Sequence, residues 1–483
     1  MAPHPSMTSW TLTLSESVMR QLHNQLFPGD GDEHAAVLTA GVVTLPTGGR
    51  LLAREIIPAM DGRDYVPGKR GHRMLTAAFV RDAALYCRDE RLAYLAVHCH
   101  GGTRSVSFSP TDLRSHERGY PALRDILRGQ PVGALVFARQ AVAGDLWLPD
   151  GTRQDLTEAR IIGRPWRTLS PSPPVSHDQV DPTYDRQTRW FSDRGQLLLN
   201  SLKVAVIGAG GAGSLLVEYL ARLGVGHLVI IDPERIELTN LPRVVGSTRW
   251  GARTWLTRDS QPGWMRRLGD RTATPKVRIA ARVARAANQK VRVETVFGTI
   301  ADASVAQRLV DCDFMFLAAD TMQARLVFNA LVHQYLIPGA QVGAKVQADR
   351  TTGDILDIFT VHRPVTPDLG CLWCNGLINT ARLQEEALTP EERRAQRYVD
   401  DPTVTAPSVI TLNATATAHA ANDFLFSALG LSDRDAQHHF QRWVPRTSKM
   451  YYDGIRKDPA CPECSVKGRF ARGDAQRLPT RAF

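Results

Sequence analysis

Long apolar runs are missing from this sequence, and cysteine is scarce. No stretch of the 483 residues reaches the roughly 18 uninterrupted apolar positions that a membrane-spanning helix requires. The first residues, MAPHPSMTSWTLTL, lack the basic start and the apolar block of a secretion signal. The seven cysteines do not have the density of a disulfide scaffold. We therefore exclude membrane proteins and disulfide-rich secreted proteins, and we expect a cytoplasmic globular protein.

Length and charge narrow the class further. A chain of 483 residues with 43% hydrophobic content exceeds what one hydrophobic core usually organises, so two or three domains are expected. The net charge of +10 favours anionic ligands such as a nucleotide or an acidic protein. The basic residues are spread along the chain and form no legible DNA- or RNA-binding module, so we do not expect a nucleic-acid partner.

Composition and periodicity predict a division of the chain into α/β domains. Alternating strand and helix patterns extend from residue 1 to about 165, and a proline- and serine-rich segment follows at 166–183. Because proline disfavours both helix and central strand, this segment is predicted to be a linker. A second domain is predicted over 184–460, followed by a basic tail at 461–483.

The second domain begins with a pattern typical of a nucleotide-binding sheet. Strand Lys203–Ile207, helix Gly211–Leu223 and strand His227–Ile231 are predicted in succession, which is a βαβ unit that requires parallel strands. Later apolar segments repeat the alternation. We therefore predict a doubly wound, Rossmann-like parallel sheet.

A glycine-rich turn joins the first of these strands to the helix. Gly208, Gly210, Gly211 and Gly213 would let backbone N–H groups and the positive helix end face a phosphate. Asp232, at the end of the next strand, is placed to bind ribose hydroxyls. This set serves NAD as well as ATP, so the turn alone leaves the ligand open.

Further motifs surround the turn: TYDRQ with Arg186, TNLPR with Asn240 and Arg243, PKV with Lys276, and Asp320 followed by Arg325 and Asn329. Together they resemble the ubiquitin-activating family, which includes the ThiF and MoeB adenylyltransferases, over about residues 184–452. Relative to compact members, residues 244–275 form an insertion.

The resemblance implies ATP, Mg²⁺ and a division of roles. Asn240 and Arg243 would contact the nucleotide and its phosphates, Lys276 would hold phosphate, and Asp320 would bind magnesium. Arg186 would act in the nucleotide site of the partner subunit, which implies a homodimer. A carboxylate attacking the α-phosphorus accumulates negative charge, and such pre-placed cations would neutralise it.

Two Cys-x-x-Cys pairs, Cys371/Cys374 and Cys461/Cys464, predict a closed, structural zinc site with four thiolate ligands. Unliganded thiols are the alternative. Many members of the resembled family also carry a nucleophilic cysteine after the first pair, but residues 375–453 contain none. Either the adenylate passes directly to another protein, which we favour, or a hydroxyl accepts it; the candidates are Thr403, Thr405 and Ser408.

The N-terminal region contains His98-Cys-His100, eight further residues and then Ser109-Pro-Thr-Asp112. This spacing resembles the JAMM metalloprotease motif of the JAB/MPN family. The resemblance implies that His98, His100 and Asp112 bind a catalytic zinc ion, that Ser109 stabilises the oxyanion, and that Glu33 is the general base. Glu55 is the second candidate for the base. The alternative is an ordinary pair of strand histidines.

The combination of both regions predicts a two-enzyme fusion. The first domain would cleave after the C-terminus of a ubiquitin-like protein, and the second would adenylate the exposed carboxylate. The arrangement resembles bacterial ubiquitin-like conjugation operons, some linked to phage defence, which implies a conjugating-enzyme-like partner. Three alternatives remain: a protease with a non-catalytic docking domain, an activator of a sulfur carrier, and an NAD-dependent oxidoreductase.

Overall fold

The structure is a computed structural model, and it describes residues 9–67, 73–173, 179–349, 352, 354–387, 407–433 and 438–481. Contacts between residues divide the chain into two compact units. The first unit comprises residues 1–177, 333–336 and 459–477; the second comprises 178–332, 337–458 and 478–483. Among the helices described, each is too short or too polar to cross a lipid bilayer.

A curved mixed sheet organises the first unit. Its described strands are β1 (Ser9–Ser15), β2 (Ala35–Leu45), β3 (Gly48–Pro58), β4 (Ala93–Cys99), β5 (Val132–Ala138), β6 (Ala141–Trp147), β7 (Arg153–Ile162) and β8 (Arg167–Leu169). Its described helices are α1 (Glu16–Leu26), α2 (Ala77–Glu90) and α3 (Pro110–Leu127). The strand order is β1-β3-β2-β4-β5-β6-β7-β8, and β7 also pairs with β1.

Local sequence explains where these helices begin. Ser15, Thr76 and Ser109 each stand directly before a helix, and each side chain accepts a hydrogen bond from a backbone N–H of the first turn. Such caps satisfy donors that the helix itself leaves unpaired. The cap at Thr76 thus fixes the start of α2 at Ala77.

The segment 459–477, here called the C-terminal strap, completes the first unit. The backbone N–H of Asp474 donates to the carbonyl of Val42 at 2.9 Å, and the Asp474 carboxylate accepts from the N–H of Thr44 at 2.9 Å. Sequence periodicity did not predict this pairing, because most of the strap's residues were assigned to a tail. The strap therefore adds backbone hydrogen bonds to one edge of β2.

A buried arginine of β3 holds the same strap. The Arg54 guanidinium is buried and donates to the carbonyls of Val466 and Phe470. Burial lowers the pKa of Arg54 to about 10. Close packing accompanies these bonds, because a Cβ on Gly41 would lie 2.1 Å from the carbonyl oxygen of Ala471.

The second unit contains the predicted βαβ core. Its described strands are β9 (Lys203–Ile207), β10 (His227–Ile231), β11 (Arg292–Val296), β12 (Phe314–Leu317), β13 (Gly339–Ala348), β14 (Ile355–Val365), β15 (Phe440–Val444) and β16 (Lys449–Asp453). Its described α-helices are α4 (Asp185–Ser201), α5 (Gly211–Leu223), α6 (Gly263–Thr272), α7 (Lys276–Ala287), α8 (Ala303–Ala306), α9 (Met322–Gln334), α10 (Thr380–Ala387) and α11 (Ile410–Leu429).

The sheet of this unit is parallel on one side and antiparallel on the other. The strand order is β11-β10-β9-β12-β13-β14-β15-β16. Neighbours from β11 to β13 are parallel, and β14, β15 and β16 continue the sheet antiparallel. Strand β9, helix α5 and strand β10 have the bounds predicted from periodicity, whereas the antiparallel extension was not predicted.

Strand register sets one level across this sheet. Ile231 pairs with Ile207, Ile207 with Leu317, Leu317 with Gln341, and Gln341 with Arg363. The parallel strands β9, β10 and β12 end at this level. In open α/β sheets, ligands bind beside the carboxyl ends of the strands. The level therefore marks the edge at which a site is expected.

The packing of the strap predicts the effect of adding one methyl group. We expect Gly41→Ala to lower the free energy of unfolding of the first unit by about 1–3 kcal/mol, because its Cβ would overlap the strap backbone. Gly119→Ala is the matched control, since Gly119 lies inside α3 with no atom within 4 Å of an added Cβ. It should stabilise by about 0.4–1 kcal/mol. Thermal unfolding and limited proteolysis of the strap measure both effects; equal melting of the two variants would contradict the packing.

Candidate functional site

The glycine turn between β9 and α5 is built by close backbone contacts. Gly208 has φ +95°, and its added Cβ would lie 3.0 Å from the carbonyl carbon of Ala318. An added Cβ on Gly213 would lie 1.7 Å from the carbonyl oxygen of Gly208, whereas a Cβ on Gly210 would meet nothing within 4 Å. Gly208 and Gly213 are thus required by the turn, and Gly210 leaves space open above it.

Asp232 fixes the loop that follows β10. One carboxylate oxygen accepts from the N–H of Ala209 at 2.7 Å, and the other accepts from the N–H of Glu234 at 2.8 Å. Burial raises the pKa of Asp232, and these two N–H donors oppose the rise. The carboxylate is therefore held in place beside the glycine turn, where the sequence predicted a ribose-binding group.

A cavity of about 790 Å³ lies over the carboxyl ends of the parallel strands. This volume is within the roughly 300–1,000 Å³ range of small-molecule sites. The predicted residues that line it are Gly208, Gly210, Gly211, Asp232, Asn240, Arg243, Lys276 and Asp320. The structure thus brings most of the predicted nucleotide site together.

The charge of the cavity wall is predominantly positive. Six cationic side chains line it, namely Arg243, Lys276, Arg325, Lys345, Arg363 and Arg382, against the three carboxylates of Asp232, Glu234 and Asp320. An excess of positive charge in a concave, partly buried site attracts polyanions. The cavity therefore has the electrostatics of a phosphate-binding site.

Lys276 is the first residue of α7 and is buried, with a side chain that is 7% exposed. Its ammonium group is ion-paired with the carboxylate of Glu234, whose side chain is 65% exposed. The helix start adds its own positive potential at this position. An incoming phosphate group can replace the exposed Glu234 carboxylate as the partner of Lys276.

The TNLPR motif forms a short 3₁₀ turn at the cavity wall. The side-chain oxygen of Asn240 accepts from the N–H of Glu237 at 3.3 Å, and Arg243 donates to the carbonyl of Thr239 at 3.3 Å. Asn240 is buried, while Arg243 is partly exposed. Both side chains therefore stabilise the turn as well as facing the cavity.

The TYDRQ motif has a structural role that sequence reasoning missed. Gln187 and Gln196 each donate to the carbonyl of Leu223 at 3.2 Å. Unpaired carbonyls at the end of α5 are satisfied in this way. Arg186, directly before Gln187 in α4, is exposed and does not line the cavity of its own chain.

In the segment after β12, some residues line the cavity and another supports the turn with the first cysteine pair. Asp320 lines the cavity and is exposed to it. Arg325 also lines the cavity and donates to the carbonyl of Leu377 at 2.8 Å. Asn329 is buried instead, and its side-chain oxygen accepts from the N–H of Leu372 at 2.9 Å. Asn329 thus orients the turn that carries the first cysteine pair.

Several lining residues were not predicted. Gln341 and Lys345 reach the cavity from β13 and Arg363 reaches it from the antiparallel strand β14, while Arg382 and Asn413 reach it from helices. Of the three hydroxyl candidates, Ser408 lines the cavity and accepts from the side-chain amide of Asn413 at 3.2 Å. Thr403 and Thr405 lie outside the described residues.

Each cysteine pair has the local geometry of a metal-binding turn. The sulfur atoms of Cys371 and Cys374 are 3.6 Å apart, close to the roughly 3.8 Å expected of two thiolates about 2.3 Å from a tetrahedral zinc ion. The Cys374 sulfur accepts from the N–H of Asp458 at 3.5 Å, and the Cys461 sulfur accepts from the N–H of Glu463 at 3.4 Å. Because the pairs belong to different compact units, a shared four-thiolate site stays a prediction.

A second constellation lies in the first unit. His98 belongs to β4 and Asp112 to the first turn of α3. The Nε2 atoms of His98 and His100 are 3.2 Å apart, and an Asp112 carboxylate oxygen lies 3.7 Å and 3.5 Å from them. Two imidazole nitrogens about 2.1 Å from a tetrahedral zinc ion would be about 3.4 Å apart. The three predicted ligands therefore fit a zinc ion.

The start of α3 holds Asp112 in this position. Ser109 and Asp112 form a reciprocal capping box, in which the Asp112 carboxylate accepts from the Ser109 N–H at 2.8 Å and the Ser109 hydroxyl accepts from the Asp112 N–H at 3.2 Å. Although burial opposes it, hydrogen bonding to His98 and to Ser109 lowers the pKa of Asp112. The cap gives Ser109 a structural role beside the predicted catalytic one.

The structure also distinguishes the two candidate bases. Glu33 lines a cavity of about 350 Å³ together with His100, Ser109 and Thr111. The Glu55 carboxylate instead accepts a hydrogen bond from the hydroxyl of Tyr86. The geometry therefore favours Glu33.

His116 is buried against Asp145, with 2.8 Å between ring nitrogen and carboxylate oxygen.

The ThiF family model matches residues 184–440. The SAMP-activating enzyme E1 of Haloferax volcanii is 32% identical over 135 residues, which is 28% of this chain and 43% of that protein. The adenylyltransferase and sulfurtransferase MOCS3 of Arabidopsis thaliana is 30% identical over 178 residues, covering 36% of this chain and 34% of that protein.

The molybdopterin-synthase adenylyltransferase of Escherichia coli K12 is 28% identical over 155 residues, covering 32% of this chain and 54% of that protein. The match therefore spans between 34% and 54% of the length of these three relatives. Among solved structures, E. coli MccB with ATP has a TM-score of 0.41 and 18% identity, over 60% of this chain and 76% of that one.

The glycine turn generates a prediction that separates folding from binding. Gly213→Ala should lower the free energy of unfolding by about 1–3 kcal/mol, because its Cβ would overlap the Gly208 carbonyl. Gly210→Ala should stay within about 1 kcal/mol of the parent but weaken nucleotide binding, since its Cβ would occupy the space where phosphate approaches the backbone. Thermal unfolding and calorimetric titration with ATP test both; unchanged ATP affinity in Gly210→Ala would argue against phosphate at this turn.

Proposed function

The chain belongs to the ThiF family, and on that premise we propose that its second unit transfers AMP from ATP to the C-terminal carboxylate of a ubiquitin-like protein. One observation supports this most strongly. The cavity at the carboxyl edge of the sheet combines the glycine turn, the buried Lys276 at a helix start, and Asp320. A reaction on a triphosphate requires this combination of donors, cations and a metal-binding carboxylate.

In the proposed reaction a carboxylate oxygen bonds to the α-phosphorus, the bond to the bridging oxygen breaks, and pyrophosphate leaves. Backbone N–H groups of the glycine turn would hold phosphate oxygens, while Lys276 and Arg243 would balance the developing charge. A magnesium ion bound by Asp320 would neutralise further charge on the phosphates. Asp232 would orient the ribose from its fixed position beside the turn.

An NAD-dependent oxidoreductase is the less supported alternative. It would use the glycine turn and Asp232, but it has no need of six cations along the cavity wall. A sulfur-carrier activator shares the adenylation step and differs only in its product. The names of the relatives include both an E1 enzyme and sulfurtransferases, so the product distinguishes conjugation from sulfur transfer.

The fate of the adenylate follows from the absence of cysteine. Residues 375–453 contain none, so we propose that the acyl group passes directly to a nucleophile on a conjugating-enzyme-like partner. Ser408 remains the hydroxyl alternative, because it lines the cavity. Arg186 is exposed and outside the cavity of its own chain, which supports its proposed action in the site of a partner subunit.

A second activity is proposed for the first unit, namely zinc-dependent peptide cleavage of the JAMM type. The support is the convergence of His98, His100 and Asp112, with Glu33 lining the adjoining cavity. A zinc ion there would supply a Lewis acid. Glu33 would take the proton of the attacking water, and the Ser109 hydroxyl would stabilise the oxyanion. The four paired cysteines would bind a second, structural zinc ion.

The adenylation proposal predicts the behaviour of two variants. In a pyrophosphate-exchange assay with ATP, Mg²⁺ and a panel of ubiquitin-like proteins, Asp320→Asn and Lys276→Met should lose about 100-fold or more of the rate. Asp311→Asn is the matched control, because Asp311 pairs with Lys203 and does not line the cavity. Full exchange by Asp320→Asn would refute the metal assignment, and NAD binding without any exchange would refute the function.

The two zinc proposals predict separable metal losses. The parent should contain two zinc ions per chain by elemental analysis, and His98→Ala and Cys374→Ser should each contain one. Only His98→Ala should also lose cleavage of a peptide or isopeptide bond after a ubiquitin-like C-terminus, because its zinc site is the catalytic one. His23→Gln, on α1 of the same unit, is the control. Undiminished zinc content in His98→Ala would rule out the proposed catalytic site.

A further inference from the structure

Two guanidinium groups face the cavity without a carboxylate partner. Arg363 donates to the side-chain oxygen of Gln341 at 2.8 Å, and Arg325 donates to the carbonyl of Leu377 at 2.8 Å. Both acceptors are neutral. Within the described part of the chain, neither guanidinium has a carboxylate within the 4.0 Å of an ion pair. By contrast, Lys276 in the same cavity is ion-paired with Glu234.

This arrangement is unfavourable in the ligand-free protein. The pKa of Arg363 is lowered to about 10, chiefly by burial and then by the positive charge of Arg325, with the Asp453 carboxylate opposing the shift. Burial also lowers the pKa of Arg325, although the negative charges of Asp320 and Glu386 oppose the shift from beyond ion-pair distance. Removing charge from water is costly unless a partner of opposite charge compensates it. Two such groups side by side in a cavity therefore indicate a site for an anion that the chain itself does not provide.

Strand register locates this site relative to the glycine turn. Arg363 pairs with Gln341, and Gln341 pairs with Leu317, the last residue of β12. Asp320 follows β12 directly, and β9 with its glycine turn is the next strand on the other side. Along the edge of the sheet, the order is therefore glycine turn, Asp320, then Arg363. Arg363 therefore lies on the side of Asp320 away from the glycine turn, and Arg325 follows Asp320 in the first turn of α9.

The strand face beside Arg363 has a gap in its row of side chains at Gly343. The cross-strand pairs Gln341–Arg363, Gly343–Val361 and Lys345–Phe359 all line the cavity. An added Cβ on Gly343 would meet only one atom within 4 Å, a methyl of Val361 at 3.9 Å. Because Gly343 itself has no side chain, the middle pair leaves room for a narrow, extended chain end.

From these observations we propose that Arg363, oriented by Gln341 and assisted by Arg325, binds the terminal carboxylate of the acyl substrate and holds it beside the α-phosphate. The proposal rests on the adenylation function given above and adds the residue that receives the second anion of that reaction. An arginine suits this task because its planar guanidinium can donate two parallel hydrogen bonds to one carboxylate. Asp320 would then lie between the two anions.

Stability and affinity should respond in opposite directions when the charge is removed. Arg363→Met keeps much of the side-chain volume, so the ligand-free variant should melt at or above the parent's temperature. Its KM for the ubiquitin-like protein that supports exchange should rise about 10- to 100-fold, the loss of a hydrogen-bonded charge pair. Its Kd for ATP should stay within about twofold, because the phosphates bind at the other end of the cavity.

Further variants separate orientation from charge. Gln341→Leu should raise the same KM by a smaller factor, because it removes the acceptor that orients Arg363. Arg446→Gln is the matched control: Arg446 follows β15, donates to the carbonyl of Ile355 at 2.8 Å, and does not line the cavity. Its KM should match the parent. An independent probe is a peptide that ends in Gly-Gly with a free carboxylate, compared with its C-terminal amide, in the presence of a non-hydrolysable ATP analogue.

Each result decides the question. A free-carboxylate peptide that raises the melting temperature of the parent but not of Arg363→Met supports the subsite, provided that the amide has no effect on either. Loss of ATP affinity equal to the loss for the acyl substrate would identify the anion as phosphate and overturn the proposal. A lower melting temperature with unchanged KM would make Arg363 structural. Failure of the parent to exchange pyrophosphate refutes the adenylation function instead, whereas exchange with unchanged KM refutes the subsite alone.

Discussion

The functional part of this protein depends on one constraint, which is that parallel strands end at the same level. Ile207 and Ile231 lie side by side at that level, so the loops after β9 and β10 must emerge next to each other. The N–H of Ala209 in the glycine turn can then donate to the Asp232 carboxylate. Strand β12 ends at the same level and adds Asp320. Charged and polar groups from distant parts of the sequence thus meet because backbone pairing leaves them no other place.

Sequence reasoning succeeded where the determining interactions are local. The bounds of β9, α5 and β10 follow from apolar periodicity and from a turn that only glycine can form. Sequence reasoning failed where the determining contacts join residues that are far apart in the sequence. Arg363 lies on the antiparallel strand β14, and nothing near it in the sequence marks it as a residue that lines the cavity. Only its pairing with Gln341 brings it to the cavity.

In the first unit, too, local spacing predicted part of the site, and contacts between distant parts of the sequence determined the rest. His98, His100, Ser109 and Asp112 lie within 15 positions of one another, so their spacing alone indicated a common site. The choice between Glu33 and Glu55 could not be made in this way, because it depends on which glutamate the fold brings beside His100 and which it brings beside Tyr86. The packing of the strap against Gly41 was also beyond sequence reasoning, since residues more than 400 positions apart form its hydrogen bonds.

The charges of the nucleotide cavity differ in how far they are compensated before a ligand arrives. Asp232 is satisfied by two backbone N–H groups, and Lys276 is ion-paired with Glu234, so the end that would hold the nucleotide is prearranged at little electrostatic cost. Arg325 and Arg363 have only neutral acceptors. An anionic ligand that neutralises them would relieve the unfavourable burial of their charge. The end of the cavity that contains Arg363 therefore favours an anion. Two anions that must react would then be drawn to opposite sides of Asp320, where their mutual repulsion is balanced before the bond forms.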